Sequence, residues 1–157
     1  MKPSIQITSL ETARALDASG FDGVITIEDS KIQDPFRVTG DAPEQLVLRF
    51  DDIPGPGDGY TEPKEADIEK AFAFVDRVEP QSLLIHCHAG ISRSSAIALA
   101  IIARELGPGK EKESVLLLKE INPDARPNKL MVWLTDEMLS RDQKLFNMAY
   151  QNMMLTS

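Results

Sequence analysis

Short apolar runs that alternate with longer helical stretches constrain the fold of this chain most strongly. Residues 24–27 (VITI) are all β-branched, and residues 82–85 (SLLI) form a second run of strand length. A long apolar stretch of helical character, residues 96–103, follows the second run after one short loop. Buried strands that alternate with helices predict an α/β fold, a sandwich built on a central, mostly parallel sheet of about four to five strands flanked by helices.

The remaining elements extend this pattern along the whole chain. Further strands are predicted at residues 5–7 and 46–48, and helices at residues 9–18, 111–121 and 128–139. We expect Gly20 to end the first helix, and residues 140–157 to form a terminal helix packed on the body. A length of 157 residues fits one domain, so we expect residues 1–157 to form a single domain.

Charge and cysteine content exclude several classes of function. Seventeen basic and twenty-five acidic residues give a formal net charge of −8, which repels nucleic acid and anionic lipid headgroups. One cysteine allows no intrachain disulfide, and the longest apolar run, residues 96–103, is too short to span a bilayer. The N-terminus lacks the apolar run of a signal peptide. We therefore expect a cytoplasmic monomer that binds neither nucleic acid nor membrane.

The only cysteine lies in residues 86–94, HCHAGISRS, where the strand at 82–85 meets the apolar helix. The first turn of a helix has N–H groups without internal partners, and its dipole adds partial positive charge. Gly90 lets the loop curl inward, and the Arg93 guanidinium matches two phosphate oxygens. The pattern predicts an anion site formed by Cys87, His88, Ala89, Gly90, Ile91, Ser92 and Arg93.

A thiol at the base of this loop has two interpretations. A free cysteine is most often a small buried hydrophobic residue. In this setting, however, the helix terminus and Arg93 favour loss of the thiol proton, and the resulting thiolate is a nucleophile for phosphoryl transfer. A zinc site formed by His86, Cys87 and His88 is disfavoured, because neighbouring positions on a strand point to opposite sides. The sequence also offers no distant pair of ligands to complete such a site. We expect no metal and no cofactor.

The string from His86 to Ser94 resembles the HCx5R signature of the cysteine-based protein tyrosine phosphatases, and among them the compact dual-specificity type. The resemblance implies that Cys87 is the nucleophile and that Arg93 binds phosphate. It also implies that Ser94 hydrogen-bonds the leaving thiolate, that His86 supports the loop, and that Asn128, in an Arg-Pro-Asn step, buttresses its backbone. Outside the loop the similarity is weaker.

The same resemblance requires a general acid, an aspartate on a loop some thirty-odd residues before the cysteine. Asp52 lies 35 residues before Cys87 and follows the predicted strand at 46–48. Asp51 is the second candidate and Asp58 the third. Adjacent side chains at the end of a strand diverge, so only one of Asp51 and Asp52 can face the Cys87 loop.

The expected substrate is a phosphotyrosine protein or peptide, with phosphoserine and phosphothreonine as further options, or a small aryl phosphate. The loop has no lysine and the chain is acidic, which argues against inositol lipids. Phe36, Arg37 and Tyr60 are candidates for the walls of the pocket, and surface packing explains them equally well. Two other functions stay open: a non-catalytic phosphoprotein-binding module and a sulfurtransferase-like cysteine enzyme.

Overall fold

The computed structural model describes residues 3–40 and 43–156, and these form four strands and six α-helices. The elements, in chain order, are β1 (Ser4–Thr8), α1 (Leu10–Ala15), β2 (Gly23–Glu28), β3 (Glu44–Arg49), α2 (Glu65–Val78), β4 (Ser82–His86), α3 (Arg93–Leu106), α4 (Glu111–Ile121), α5 (Lys129–Met138) and α6 (Lys144–Asn152). A short 3₁₀ turn, Ala18–Gly20, precedes β2.

The sheet confirms the predicted α/β class. Its order is β1-β4-β2-β3, and all three strand pairs are parallel. β2 is buried along its whole length, as expected for a central strand covered on both faces. Every strand is followed by a helical or loop connection on the way to the next, which is the pattern that parallel pairing requires.

Helix α3 is the central helix of the fold. It packs against β1 and β4 on one side and against α2, α4 and α5 on others. Every residue from Arg93 to Ala103 is buried, including the small polar pair Ser94 and Ser95. The apolar run that the sequence places after the cysteine loop is therefore the main contact between the sheet and the helices.

Two predicted helices have different bounds in the structure. The first helix ends at Ala15 rather than at residue 18, because the Asp17 carboxylate accepts a hydrogen bond from the backbone N–H of Ser19 and starts a separate 3₁₀ turn. At the C-terminal end, α6 covers only Lys144–Asn152, and its Leu145 and Ala149 are fully buried. Beyond it, Thr156 forms an isolated parallel bridge with Asn128.

The carboxyl ends of the four strands lie at one edge of the sheet. Thr8 ends β1, Asp29 follows β2, Phe50 follows β3 and Cys87 follows β4. Because the strands are parallel, the residues that leave them meet at this edge, which is where α/β proteins bind ligands. The cysteine loop therefore lies beside the segments that follow β2 and β3.

Candidate active site

The Cys87 side chain lies at the start of the loop between β4 and α3 and is only 3% exposed. Its Sγ accepts a hydrogen bond from the Gly90 N–H at 3.3 Å and lies 3.2 Å from the Ser94 hydroxyl. The Gly90 N–H is the donor of the first contact, and either atom can be the donor of the second. The predicted cysteine, glycine and serine are thus in direct contact.

The conformation of the loop depends on Gly90. Its φ is +74°, and a Cβ at this position would lie 2.6 Å from the Thr8 carbonyl carbon and 2.7 Å from Ser9 N. Both contacts are with backbone, which no rotamer change relieves. The Gly90 carbonyl in turn accepts a hydrogen bond of 2.8 Å from the Asn122 side chain. The loop is therefore packed directly on the end of β1 and held from α4.

The Arg93 guanidinium is anchored at one nitrogen. Nη1 donates to the Phe50 carbonyl at 2.8 Å and lies 2.8 Å from the Asp29 carboxylate. The Nε atom is buried and has no partner within the described residues. A buried donor without a partner is costly, and an anion oxygen at this edge of the guanidinium would satisfy it.

Asp52 contacts the loop from outside. Its Oδ1 accepts hydrogen bonds from the Ser92 hydroxyl at 2.7 Å and from the Asn128 amide at 2.8 Å. The side chain as a whole is exposed, and Oδ2 makes none of the hydrogen bonds found within residues 3–40 and 43–156. One carboxylate oxygen is thus fixed to the Cys87 loop, and the other is without a hydrogen bond among the described residues.

Asp51 points elsewhere. Its carboxylate accepts hydrogen bonds from the Ser30 N–H and hydroxyl and from the Thr61 N–H. Burial raises the pKa of Asp51, but these hydrogen bonds and the charge of Arg93 outweigh it and hold the pKa below its ordinary value. A carboxylate so occupied ties three loops together and is poorly suited to donate a proton. Asp58 is exposed in the loop that follows.

The two supporting residues are both buried. His86 Nε2 lies 2.8 Å from the Thr26 hydroxyl, which also accepts a hydrogen bond from Gln45. Burial is the main cause that lowers the pKa of His86, so the ring is neutral near pH 7. Asn128 donates its backbone N–H to the Ser92 carbonyl at 3.2 Å, and its side chain caps α5 at Met131.

The three candidate wall residues differ in position. Phe36 lines a small cleft together with Cys87 and His88, and its ring meets His86 edge-on at 5.1 Å between centroids. Arg37 is instead paired with the buried Glu28, to which it donates two hydrogen bonds. Tyr60 is 61% exposed and does not line this cleft. Of the remaining loop residues, His88, Ala89 and Ile91 are exposed.

Three residues near the loop escaped the sequence reasoning. Asp29 pairs with Arg93, Asn122 holds the Gly90 carbonyl, and the Thr156 hydroxyl lies 2.6 Å from that of Ser92. Asp29 directly follows the central strand β2, and that position at the sheet edge is a signal that could have identified it. Asn122 and Thr156 reach the loop only through tertiary packing, for which the sequence carries no local pattern.

The described ranges hold neither a cluster of metal ligands nor a membrane-spanning helix. No group of three or more His, Cys, Asp or Glu side chains in residues 3–40 and 43–156 is placed to hold a metal ion. None of the helices in those same ranges has the length and apolarity needed to cross a membrane.

Known proteins resemble this chain in both sequence and fold. Human dual specificity protein phosphatase 12 is 30% identical over 122 residues, which cover 75% of this chain and 33% of that protein. Mouse dual specificity protein phosphatase 8 is 34% identical over 82 residues, which cover 51% of this chain and 12% of that protein. The chain is a compact, dual-specificity-phosphatase-like member of the cysteine-based phosphatase superfamily. It spans a third or less of the length of these two relatives.

Solved structures show the same fold for this dual-specificity-phosphatase-like chain. DUSP15 superposes with a TM-score of 0.67 at 22% identity and covers 98% of this chain and 95% of its own. Human DUSP28 gives 0.65 at 22% identity, over 90% and 94% of the two chains. A human tyrosine phosphatase-like serine/threonine/tyrosine-interacting protein gives 0.61 at 22%, over 85% of each. No protein-family model matches the chain.

Proposed function

We propose that this protein hydrolyses phosphate monoesters through a phosphocysteine intermediate on Cys87. The observation that carries the proposal is the unpartnered, buried Nε of Arg93 in the loop that also holds the Cys87 sulfur. The loop N–H groups, the N-terminus of α3 and Arg93 together form a site for a dianion. A nucleophile and a phosphate site in one loop support phosphoryl transfer.

In the first step the Cys87 thiolate attacks phosphorus, the S–P bond forms and the P–O bond to the leaving group breaks. Asp52 would give a proton to the leaving oxygen, since its Oδ2 is free while Oδ1 is held by Ser92 and Asn128. Asp51 is the weaker candidate because its lowered pKa and three hydrogen bonds keep its carboxylate ionised and occupied.

In the second step water attacks phosphorus, the S–P bond breaks and the Cys87 thiolate leaves with the electron pair. Asp52, now a carboxylate, takes the proton of the water. The Ser94 hydroxyl, 3.2 Å from Sγ, donates to the departing thiolate. The Gly90 N–H at 3.3 Å adds a second donor to the same sulfur. These two contacts favour the leaving step, which a module that only binds phosphate does not require.

The proposed substrate is a phosphotyrosine protein or peptide or a small aryl phosphate. The aromatic ring of Phe36 in the cleft beside Cys87 supports an aryl ester, because stacking or edge contacts favour a second ring there. The names of the relatives, which are dual specificity phosphatases, support phosphoserine and phosphothreonine as additional substrates.

The location and association state belong to the same proposal. The single cysteine is free, which is compatible with a reducing compartment and supports a cytoplasmic location. A net charge of −8 supports a protein that binds neither nucleic acid nor anionic membrane. We propose a single phosphatase domain over residues 1–157 that acts as a monomer.

A non-catalytic phosphoprotein-binding module is the second candidate. The interacting protein that shares this fold is named as phosphatase-like. At 22% sequence identity, its likeness to this chain shows the fold alone. A binding module would keep Arg93 and the loop but would not depend on the sulfur of Cys87.

The experiment is hydrolysis of p-nitrophenyl phosphate and of a phosphotyrosine peptide by wild type and by Cys87→Ser. Turnover by the wild type, its loss in Cys87→Ser and retained phosphate binding in that variant are expected. Phosphate binding without turnover by the wild type contradicts the proposal and favours the binding module.

A further inference from the structure

Arg93 receives an acceptor from outside its own loop on each of two neighbouring strand ends. Phe50 follows β3 and offers its carbonyl, and Asp29 follows β2 and offers its carboxylate. Both acceptors lie 2.8 Å from the same nitrogen, Nη1. The Nη1 N–H donates to the Phe50 carbonyl, and the Asp29 carboxylate forms an ion pair with the same nitrogen.

The two contacts at Nη1 leave the opposite edge of the guanidinium available. The guanidinium is planar, and its remaining donors are Nε–H and the two protons of Nη2. Nε is buried without a partner in the described part of the chain. With Nη1 fixed, the free Nε–Nη2 edge is the one that can bind two phosphate oxygens.

Asp29 is much more exposed than the arginine that it contacts. Its side chain is 47% exposed, whereas that of Arg93 is 5% exposed. It lines the same cleft as Cys87 and His88. Loss of a partner of a buried charge lowers stability as well, so the stability of each variant has to be measured separately from its phosphate affinity.

We propose that Asp29 is a positioning residue for phosphate recognition: together with the Phe50 carbonyl it holds Nη1 of Arg93, so that the Nε–Nη2 edge is presented to the phosphoryl group. This inference rests on the proposed function, since it describes how the same loop binds its anion. Asp29 acts through Arg93 and does not itself touch the substrate.

Loss of the acceptor and loss of the charge have opposite effects on anion binding. Removal of the Asp29 charge alone strengthens the attraction of an anion, because one nearby negative group is lost. Removal of the carboxylate leaves Nη1 with the Phe50 carbonyl as its partner, and this weaker restraint lets the guanidinium rotate away from the productive orientation. Asp29→Asn removes the charge and keeps an oxygen acceptor, whereas Asp29→Ala removes both, so the two variants separate the effects.

The experiment measures the Kd of inorganic phosphate by calorimetry for wild type, Asp29→Ala and Asp29→Asn. We expect Asp29→Ala to bind phosphate on the order of threefold to tenfold more weakly than Asp29→Asn, and more weakly than wild type. Asp34→Asn is the control for net charge, because Asp34 is 90% exposed and pairs only with Arg14 among the described ion pairs. Thermal unfolding of each variant reports whether the fold is intact.

The NMR signal of the Arg93 Nε–H gives a second readout that a merely structural role would not move. In wild type and Asp29→Asn this signal shifts when phosphate is added, and in Asp29→Ala it is broadened and responds less. Equal phosphate affinities for the Ala and Asn variants, or tighter binding by Asp29→Ala than by wild type, overturn the proposal.

The outcomes separate this inference from the proposed function. A wild type that binds phosphate but hydrolyses no ester refutes the catalytic function and leaves the role of Asp29 standing. A wild type that hydrolyses esters while both Asp29 variants bind phosphate equally refutes the role of Asp29 alone.

Discussion

Replacement of Gly90 by alanine tests the geometry of the cysteine loop. The new Cβ would lie 2.6 and 2.7 Å from the backbone of Thr8 and Ser9, and the residue would keep a φ of +74°. A left-handed conformation costs about 1–2 kcal/mol for a residue with a Cβ. Overpacking against rigid neighbours typically adds about 1–3 kcal/mol. The expected loss in the free energy of unfolding is therefore about 2–5 kcal/mol.

Gly109 offers the matched control. Its φ is +84°, and a Cβ there would meet nothing within 4 Å, so Gly109→Ala carries only the conformational cost. In urea unfolding, Gly90→Ala should lose about 1–3 kcal/mol more than Gly109→Ala, which corresponds to a Tm lower by roughly 2–12 °C.

Relief of the clash by movement of the loop is the other way for the chain to respond. In that case Gly90→Ala keeps more stability but loses phosphate affinity, because the N–H groups and Arg93 no longer converge. A Gly90→Ala variant that is as stable as Gly109→Ala and still binds phosphate like wild type would contradict the close packing of Gly90 on Thr8 and Ser9.

Three other substitutions test separate parts of the site. Asp52→Asn should lower turnover of phenyl phosphate by ~10²–10⁴-fold and turnover of an activated ester much less. Asp51→Asn should chiefly lower stability. The reverse pattern in the two variants would make Asp51 the general acid. Ser94→Ala should slow release of the thiolate, so rapid-mixing kinetics should show a burst of phenol followed by a slower steady state, and its absence would argue against the role of Ser94. The pKa of His86 is lowered from 6.5 in the folded protein, so the stability that the neutral ring contributes is present above about pH 6.5 and is lost as the pH falls. Urea titrations should therefore show a free energy of unfolding that depends less on pH in His86→Asn than in wild type.

The fold was largely predictable because its signals are local. β-branched and apolar runs of strand length mark β2 and β4, and both strands are buried as such runs require. Helix α4 has the predicted bounds, Glu111–Ile121, since Gly109 and Asn122 flank it. The end of α1 was predicted three residues too far, because it depends on a single hydrogen bond that the Asp17 carboxylate accepts from the Ser19 N–H.

The site was predictable only where the loop sequence itself encodes it. Cys87, Gly90 and Ser94 are in contact because they lie in eight consecutive positions, residues 87–94, that form one loop and the start of α3. The partners of Arg93 come from the ends of β2 and β3 and depend on strand order, which the sequence does not state. The different environments of Asp51 and Asp52 likewise arise from contacts with residues 30, 61, 92 and 128.

Direct detection of the phosphocysteine tests whether Cys87 is the nucleophile. Wild type and Ser94→Ala are mixed with p-nitrophenyl phosphate, quenched in acid within milliseconds, digested and examined by mass spectrometry. We expect a phosphoryl group on the peptide that contains Cys87. The phosphorylated fraction of this peptide should be larger in Ser94→Ala, because release of the thiolate is slowed. Ester hydrolysis at wild-type rate by Cys87→Ser, or a phosphoryl group on any other residue, would contradict the account.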